Sequence, residues 1–414
     1  MFEDWKEIDR RHSWHPYTPN PVLGPEPRLF VRAEGAYVFD ESGKAFLDAT
    51  SSWWCQIHGH CHPRLVQALK IQAETLDQIL FSPHAHPVAL KLTQKLLERM
   101  GEPFRRVFFS DDGSTAVEAG IKMAIQYWKN EGFPKKRKLL SLSRAYHGDT
   151  LGAMAVGDVG PFKEAFSGSV PDSLKVSVEC AEAFEQMIEE HSAELAAFIV
   201  EPLVLGAGGM IFYSKEDLER MTAYCKKRNV LVIFDEVFTG FGRTGTFFAY
   251  DQIESRPDIV CLSKGLTSGM LPLAATVTTE KVYQAFSGGG EKTFYHGHTF
   301  TANALGCAVA LESLKIFEEE KTLEKAAALT SVMIDQRERF SEFGEVRSLG
   351  VIWALDLAEP LHEKGWQIAA RLFEEGIWMR PLHQTLYFIP PYCTKRDELK
   401  HAFDVLYSAI RGCT

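Results

Sequence analysis

No stretch of the 414-residue sequence is apolar for the roughly eighteen residues that a membrane-crossing helix needs, so no transmembrane segment is expected. The opening MFEDWKEIDRRHSWHPY carries acids and has neither an apolar core nor a cleavage signature, which excludes a signal peptide and points to a cytoplasmic protein. A surplus of positive charge is also missing. The net charge of −10 argues against nucleic acid as a partner and favours solubility. Paired cysteines are absent: Cys55, Cys61, Cys180, Cys225, Cys261, Cys307, Cys393 and Cys413 are scattered, with no C-x-x-C among them. That spacing suits free thiols in a reducing compartment better than a disulfide framework or a zinc knuckle. Internal repeats, low-complexity tracts and long linkers are lacking too. What remains is an ordinary soluble composition, 45% apolar and 24% charged, in a chain long enough for two domains.

The most informative stretch is residues 229–265, NVLVIFDEVFTGFGRTGTFFAYDQIESRPDIVCLSKG. Two short apolar runs, 230–234 and 259–262, read as buried strands of a parallel sheet. The first ends in Asp235-Glu236 and the second in Ser263-Lys264. Open α/β sheets place their chemistry at the carboxyl ends of strands. Taken singly, Asp235 reads as a turn cap and Lys264 as a solvated side chain. Together they match the needs of a pyridoxal phosphate enzyme, in which a lysine holds the cofactor's aldehyde and an acid pairs with its pyridinium nitrogen. Inside the same stretch, Gly240-Phe241-Gly242-Arg243-Thr244-Gly245 matches the dinucleotide fingerprint glycine for glycine. A true fingerprint follows its strand directly and opens a helix. Here five residues, 235–239, intervene and Thr246-Phe247-Phe248-Ala249-Tyr250 is not amphipathic, so the segment is read as a loop and a nicotinamide cofactor is rejected.

Elsewhere, residues 1–50 open irregularly around His15-Pro16-Tyr17-Thr18, with Pro16, Pro19, Pro21, Pro25 and Pro27 keeping the chain extended. Strands are expected at 29–33, 36–40 and 45–48. Trp53 and Trp54 stand adjacent in a loop, either walling an apolar pocket or packing in a core or interface. His58, His60 and His62 alternate like metal ligands, but Pro63 and the amphipathic run after it suggest a helix start, and no metal site is expected. A strand at 106–110 leads through Asp112-Gly113-Ser114 to a helix over 116–130, with Thr115 and Glu118 as its capping box and an anion site at its N-terminus. A strand at 139–142 leads to Tyr146, which could stack on a cofactor ring or pack under a loop. A strand at 197–200 ends in Glu201. A helix over 215–228 is capped by Ser214. The alternation of strands and helices gives an α/β fold with a mostly parallel sheet. Beyond a strand at 273–277 and a long helix from Asn303, a smaller α/β unit is expected, with strand within 346–357, helix over 365–375, strands at 377–380 and 385–389, and a last helix over 395–410.

Together these residues resemble the class III aminotransferases of pyridoxal phosphate fold type I. The resemblance covers nearly the whole chain. It rests on Asp235-Glu236-Val237 with the glycine-rich loop after it, Ser263-Lys264-Gly265, Asp112-Gly113-Ser114 and His296-Gly297-His298-Thr299. It implies a large cofactor domain with mostly parallel sheet over residues 56–315, a smaller α/β domain over 316–414, and an N-terminal segment, 1–55, packing with the latter. Trp14-His15-Pro16-Tyr17-Thr18, Ser51-Ser52-Trp53-Trp54, Tyr146-His147-Gly148-Asp149-Thr150 and Trp378-Met379-Arg380-Pro381 look closest to the branch of the family that serves biotin synthesis. The reaction so implied moves an amino group from S-adenosylmethionine to 8-amino-7-oxononanoate. Lysine as donor, or another ω-aminotransferase activity, stays open. Glutamate-using members tend to carry an arginine where this chain has Tyr387, and a phenol cannot replace a bidentate carboxylate partner.

Carried over residue by residue, the resemblance implies a catalytic set of Lys264, Asp235 and Tyr17. Cofactor contacts would come from Gly113, Ser114, Tyr146, Asp235, Lys264 and, across a homodimer interface, Thr299. Substrate contacts would come from Tyr17, Trp53, Trp54, Tyr146, Arg243, Gly297, His298 and Arg380. His298 stands where some members have proline.

Overall fold

The computed structural model describes residues 5–19 and 27–413. After a short helix at Trp5–His12, the chain forms an antiparallel meander, β1 (Phe30–Glu34), β2 (Tyr37–Asp40) and β3 (Ala45–Asp48). The helix was not expected. It buries none of its residues, so no apolar stripe announces it. Pro21 and Pro25 lie outside the described residues. Pro16 and Tyr17 form a turn rather than extended chain, with Tyr17 at φ +51°.

The centre is a seven-stranded sheet made of β4 (Phe104–Ser110), β5 (Lys138–Leu142), β6 (Leu174–Val176), β7 (Leu195–Val200), β10 (Leu231–Asp235), β11 (Ile259–Leu262) and β12 (Ala274–Thr279), with the small hairpin β8 (Val204–Leu205) and β9 (Ile211–Phe212) set between β7 and β10. Its order is β4-β12-β11-β10-β7-β5-β6. All neighbours from β11 to β6 are parallel, and only β12 runs against the rest. Every residue of β7, β10 and β11 is buried, because helices cover both faces. This is why those strands read as unbroken apolar runs rather than alternating ones. The fold is the expected α/β architecture.

The last third adds the antiparallel strands β13 (Gly344–Leu349), β14 (Ile352–Leu357) and β16 (Thr385–Phe388), and the short β15 (Ile377–Trp378). Strand β15 pairs in parallel with β3, Ile377 opposite Leu47, so a strand from the first fifty residues is stitched to one from the last forty. The final helix, Arg396–Arg411, buries Leu399, Ala402, Phe403, Leu406 and Ile410, the five residues of its apolar stripe.

The glycine-rich segment after β10 is a loop, closed by Gly242 N–H donating to Phe247 O (3.0 Å) and Gly245 N–H to Gly242 O (3.1 Å). It is clasped from outside by the β13–β14 turn, where Val351 N–H donates to Arg243 O at 3.0 Å. A Cβ on Gly350 would stand 2.3 Å from Arg243 O and 2.5 Å from Gly245 N, at φ +55°. Both partners are backbone and cannot swing away. Gly350→Ala is therefore expected to cost about 2–4 kcal/mol. Gly43, at φ +85° with open space around it, is the control, and Gly43→Ala should cost only the ~1–2 kcal/mol of left-handed backbone. Urea midpoints of the two variants check the difference; equal midpoints would refute the clash.

Candidate active site

The parallel strands deliver polar residues to one edge of the sheet. Asp235 is the last residue of β10, Lys264 lies two residues past β11, Glu201 follows β7, Tyr146 and His147 follow β5, and the Gly113–Asn130 helix starts just after β4. All these segments line one cavity of about 830 Å³. Lys264 sits in a single 3-10 turn, Lys264–Thr267, with its backbone at φ +42°. A left-handed lysine is uncommon, and such conformations gather at functional sites.

At the helix start, the N-cap is Asp112 rather than Thr115. Its extended backbone lets the carboxylate accept from Thr115 N–H at 2.9 Å, and the Thr115 hydroxyl accepts in return from Asp112 N–H at 2.9 Å. Glu118 is not in the capping box. It turns to the next helix, Leu151–Val156, accepting from Thr150 Oγ1 (2.6 Å) and from the N–H groups of Gly152 (2.8 Å) and Ala153 (3.1 Å). The N–H groups of Gly113 and Ser114 are in the first turn and have no intrahelical acceptor, which leaves an anion cradle at the cavity wall. Gly148 follows it closely. A Cβ there would meet Ser114 Oγ at 2.1 Å, at φ +124°, so only glycine lets the two loops approach.

Asp235 is buried and points one Oδ at Val237 N–H (3.1 Å) and the other at His147 Nδ1 (2.8 Å). Neighbouring strand residues face opposite ways, and Glu236 leaves the cavity to accept from Thr239 Oγ1 (2.8 Å), Ala249 N–H (3.0 Å) and Tyr250 N–H (2.9 Å). Glu201 accepts from the N–H groups of Tyr146 and Gly206, both at 2.9 Å. Burial and the nearby Asp235 push its carboxyl up to about 8 against those two donors. Burial lowers the Lys264 amine from the usual lysine range, while Asp235 and Glu201 oppose the shift.

Over the cavity mouth, Tyr17 and Tyr146 both donate to Asp149 Oδ2, the latter at 2.9 Å, and their hydroxyls lie 3.1 Å apart. Burial raises Tyr146 to about 12, so it stays a neutral donor. Tyr17 packs edge-on to Trp53, and its carbonyl accepts from Arg380 Nη2 at 2.6 Å. Arg380 also lies over the rings of Trp53 (6.0 Å) and Trp366 (5.3 Å). Trp54 lines the inner wall and Trp53 the half-open outer one.

The structure thus gathers Tyr17, Trp53, Trp54, Gly113, Ser114, Tyr146, Asp235, Lys264 and Arg380 around one space. Arg243 is a correction. It is fully buried away from the cavity and donates to three carbonyls, Pro390 O (3.1 Å), Trp54 O (3.1 Å) and Gln56 O (3.0 Å). A guanidinium has five donors and no acceptor, so backbone carbonyls are its natural partners in a core, and here it pins the tryptophan loop. Within a single copy, Gly297 and Thr299 are exposed and His298 lies beside Asp111, Nδ1 to Oδ2 3.9 Å; none of the three lines the cavity. His58, His60 and His62 each take a separate partner, Ser313, Asp48 and Glu320.

His147, Asp149, Glu201 and Phe238 are site residues to which the sequence assigned no role. His147 stands next to Tyr146 in the strand-end loop, and only the fold brings its ring to Asp235. Glu201, at a strand's carboxyl end, had the same positional signal as Asp235.

The residues fit pyridoxal phosphate. A buried carboxylate, a lysine of lowered basicity and a helix N-terminus whose Gly113 and Ser114 N–H groups have no intrahelical acceptor, in one cavity, are the donor set for a pyridinium, an aldehyde and a phosphate.

The family model for Aminotransferase class-III matches residues 22–410. The adenosylmethionine-8-amino-7-oxononanoate aminotransferase of Geobacter sulfurreducens is 37% identical, covering 99% of this chain and 97% of that protein. The crystal structure of the enzyme of that name from Methanocaldococcus jannaschii superposes with a TM-score of 0.94 at 35% identity, covering 99% of this chain and 98% of that one. The omega transaminase from Pseudomonas jessenii, solved in complex with PMP, gives a TM-score of 0.92 at 30% identity, with 99% and 98% covered.

Proposed function

This chain belongs to the class III aminotransferases, and from that membership we propose that it transfers an amino group from S-adenosylmethionine to 8-amino-7-oxononanoate, giving 7,8-diaminononanoate for biotin synthesis. The observation that carries the reading is the meeting of Lys264, Asp235 and the helix N-terminus in one cavity whose inner wall holds Tyr387 where a glutamate-using member would need arginine. The near-full-length relatives of that name support the choice of substrates.

When bound, pyridoxal phosphate supplies an electron sink for the carbon that carries the amino group. Gly113 and Ser114 would hold its phosphate at the helix N-terminus. Asp235, braced by His147, would hold the proton on its ring nitrogen, and Tyr146 would stack on the ring. Lys264 would hold its aldehyde and, once displaced, carry the proton between carbons. The lowered basicity of the Lys264 amine leaves more of it free to act as base near neutral pH than an exposed lysine would have. Tyr17 would act with Asp149 at the mouth, closing the site over the donor's amino-acid end. Arg380 would anchor the acceptor's carboxylate, exchanging its bond to the Tyr17 carbonyl for a charge-assisted one. Trp53 and Trp54 offer flat apolar walls to either an alkyl chain or an adenosyl group.

One site serving two substrates in turn implies ping-pong kinetics. We place the protein in the cytoplasm as a homodimer in which a second copy lends its Gly297-His298-Thr299 segment to the phosphate end of the site. The β3–β15 pairing supports reading residues 1–55 as packing with the unit at 316–414 and residues 56–315 as the cofactor-binding unit.

The test is a single half-reaction. Cofactor-loaded protein is mixed with S-adenosylmethionine, lysine, glutamate or alanine separately, and loss of the cofactor's visible absorption is followed. Bleaching by S-adenosylmethionine is the expected result. Bleaching by lysine alone would keep the acceptor and replace the donor. A response to glutamate alone would overturn the reading of Tyr387.

A further inference from the structure

Among the described residues no carboxylate forms an ion pair with Lys264. Its Nζ lies 4.7 Å from the centre of the Trp54 ring and 5.7 Å from that of Phe238. Both distances are inside the range over which an aromatic face attracts an ammonium. The two rings pack on each other with centroids 4.5 Å apart. They are also held from behind. Gly206 has no side chain, and a Cβ there would meet Phe238 Cδ1 at 2.9 Å and Trp54 Cζ3 at 3.2 Å. Trp54 Nε1–H donates to the Tyr387 hydroxyl at 3.3 Å, and the Trp54 carbonyl accepts from buried Arg243 at 3.1 Å. The loop is strained into place, with Ser51, Ser52 and Trp54 at φ +53°, +58° and +64°. Such backbone persists only where the surroundings over-determine it.

We propose that the Trp54 face, supported by Phe238 and fixed by Tyr387, is the resting place of the Lys264 ammonium whenever that amine is not joined to the cofactor. This deepens the function proposed above and rests on its assignment of Lys264. A lysine that ferries a proton takes it up as the free amine and must then be held as the ammonium without losing the proton to its holder. A carboxylate would bind it too firmly and in one direction, whereas a ring face attracts the charge and leaves all three N–H groups free. The same geometry gives Tyr387 a task that an arginine could not perform. Arginine has no acceptor for the indole N–H and would set a like charge behind the ring that faces the lysine. The other groups acting on Lys264 are Asp235 and Glu201 at the strand ends, which favour its charged form, and Arg243 behind the loop, which opposes it; the Cys55 thiol, whose ionisation burial disfavours, brings no charge. The ring face acts in addition to these and can be varied without touching them.

The experiment reads the basicity of the lysine directly. Full-length protein loaded with pyridoxamine 5′-phosphate, in which the amine is free, is given trace acetic anhydride at a series of pH values, and acetylation of Lys264 is measured by peptide mass spectrometry. Trp54→Leu should move the inflection down by about one pH unit. Tyr387→Phe, which keeps the ring and removes only the acceptor, should move it down by less. An inflection that is unchanged or raised in Trp54→Leu overturns the proposal. If Trp54→Leu does not fold, Tyr387→Phe decides alone, and an unchanged inflection overturns it. Retention of pyridoxal 5′-phosphate, the aldehyde form, through gel filtration of a parallel sample reports on the underlying function. A protein that does not retain it contradicts the role of Lys264 in transamination, while labelling of the unloaded chain still reports on the ring contact.

Discussion

Lys264→Ala is expected to lower turnover with S-adenosylmethionine and 8-amino-7-oxononanoate by about 10⁴-fold or more. The lysine holds two tasks in one side chain. It anchors the cofactor's aldehyde, and it moves the proton in both half-reactions, a general acid–base contribution that by itself reaches about 10²–10⁴-fold. Among the described residues no other amine lines the cavity, and Arg380, which does, stays protonated and already bonds Tyr17 at the mouth. The loss should therefore fall on the chemical step. Small external amines supplied at high concentration should restore part of the rate, because they supply the missing base without its positioning. Folding should not suffer, since alanine removes a buried polar amine rather than a packed apolar group. Stopped-flow half-reactions and a thermal melt check both statements. Sustained multiple turnover by the variant would contradict the assignment of Lys264.

Asp235→Asn should lower turnover by about 10²–10³-fold, the usual cost of deleting one preorganised electrostatic partner. Asparagine keeps the shape and the acceptor for Val237 N–H, but loses the charge that keeps a ring nitrogen protonated. It also disturbs His147, whose Nδ1 faces the carboxylate at 2.8 Å and whose Nε2 is buried with no hydrogen-bond partner. A ring fixed by one bond acts as a brace. His147→Phe should therefore lower turnover in the same direction but by less, with the cofactor's visible spectrum displaced in both variants. A spectrum and rate unchanged in Asp235→Asn would place the pyridinium partner elsewhere. Glu201, whose carboxyl is pushed to about 8 and whose two oxygens are already taken by backbone N–H groups, is poorly suited to be that partner.

Strands β7, β10 and β11 could be read directly, because a strand covered on both faces must be apolar throughout, and the run breaks where the chain leaves the sheet. The acid and the lysine are conspicuous for the same reason. They end runs that have no other use for charge. The final helix was equally legible, since its stripe faces a single core. The cap at Asp112 was misplaced by three residues. Asp112 and Thr115 are both good caps, and only the backbone decides which carboxylate or hydroxyl reaches the free N–H. The helix at Trp5–His12 left no signal, because it covers no core.

The sequence by itself determined six of the seven strands of the central sheet, β4, β5, β7, β10, β11 and β12, the strand ends that carry Asp235, Glu201 and Lys264, and the loop character of residues 240–245. These follow from local periodicity and from the cost of burying charge along a strand, which act over a few neighbouring residues. Only the tertiary structure decided the rest. It brings His147 to Asp235 across 88 positions and Trp54 to Tyr387 across 333. It also turns Arg243 away from the cavity and into the core, where three carbonyls need a donor. A motif fixes where the backbone goes, but a long side chain goes where its hydrogen bonds can be satisfied, and those partners are set by segments far away in the chain.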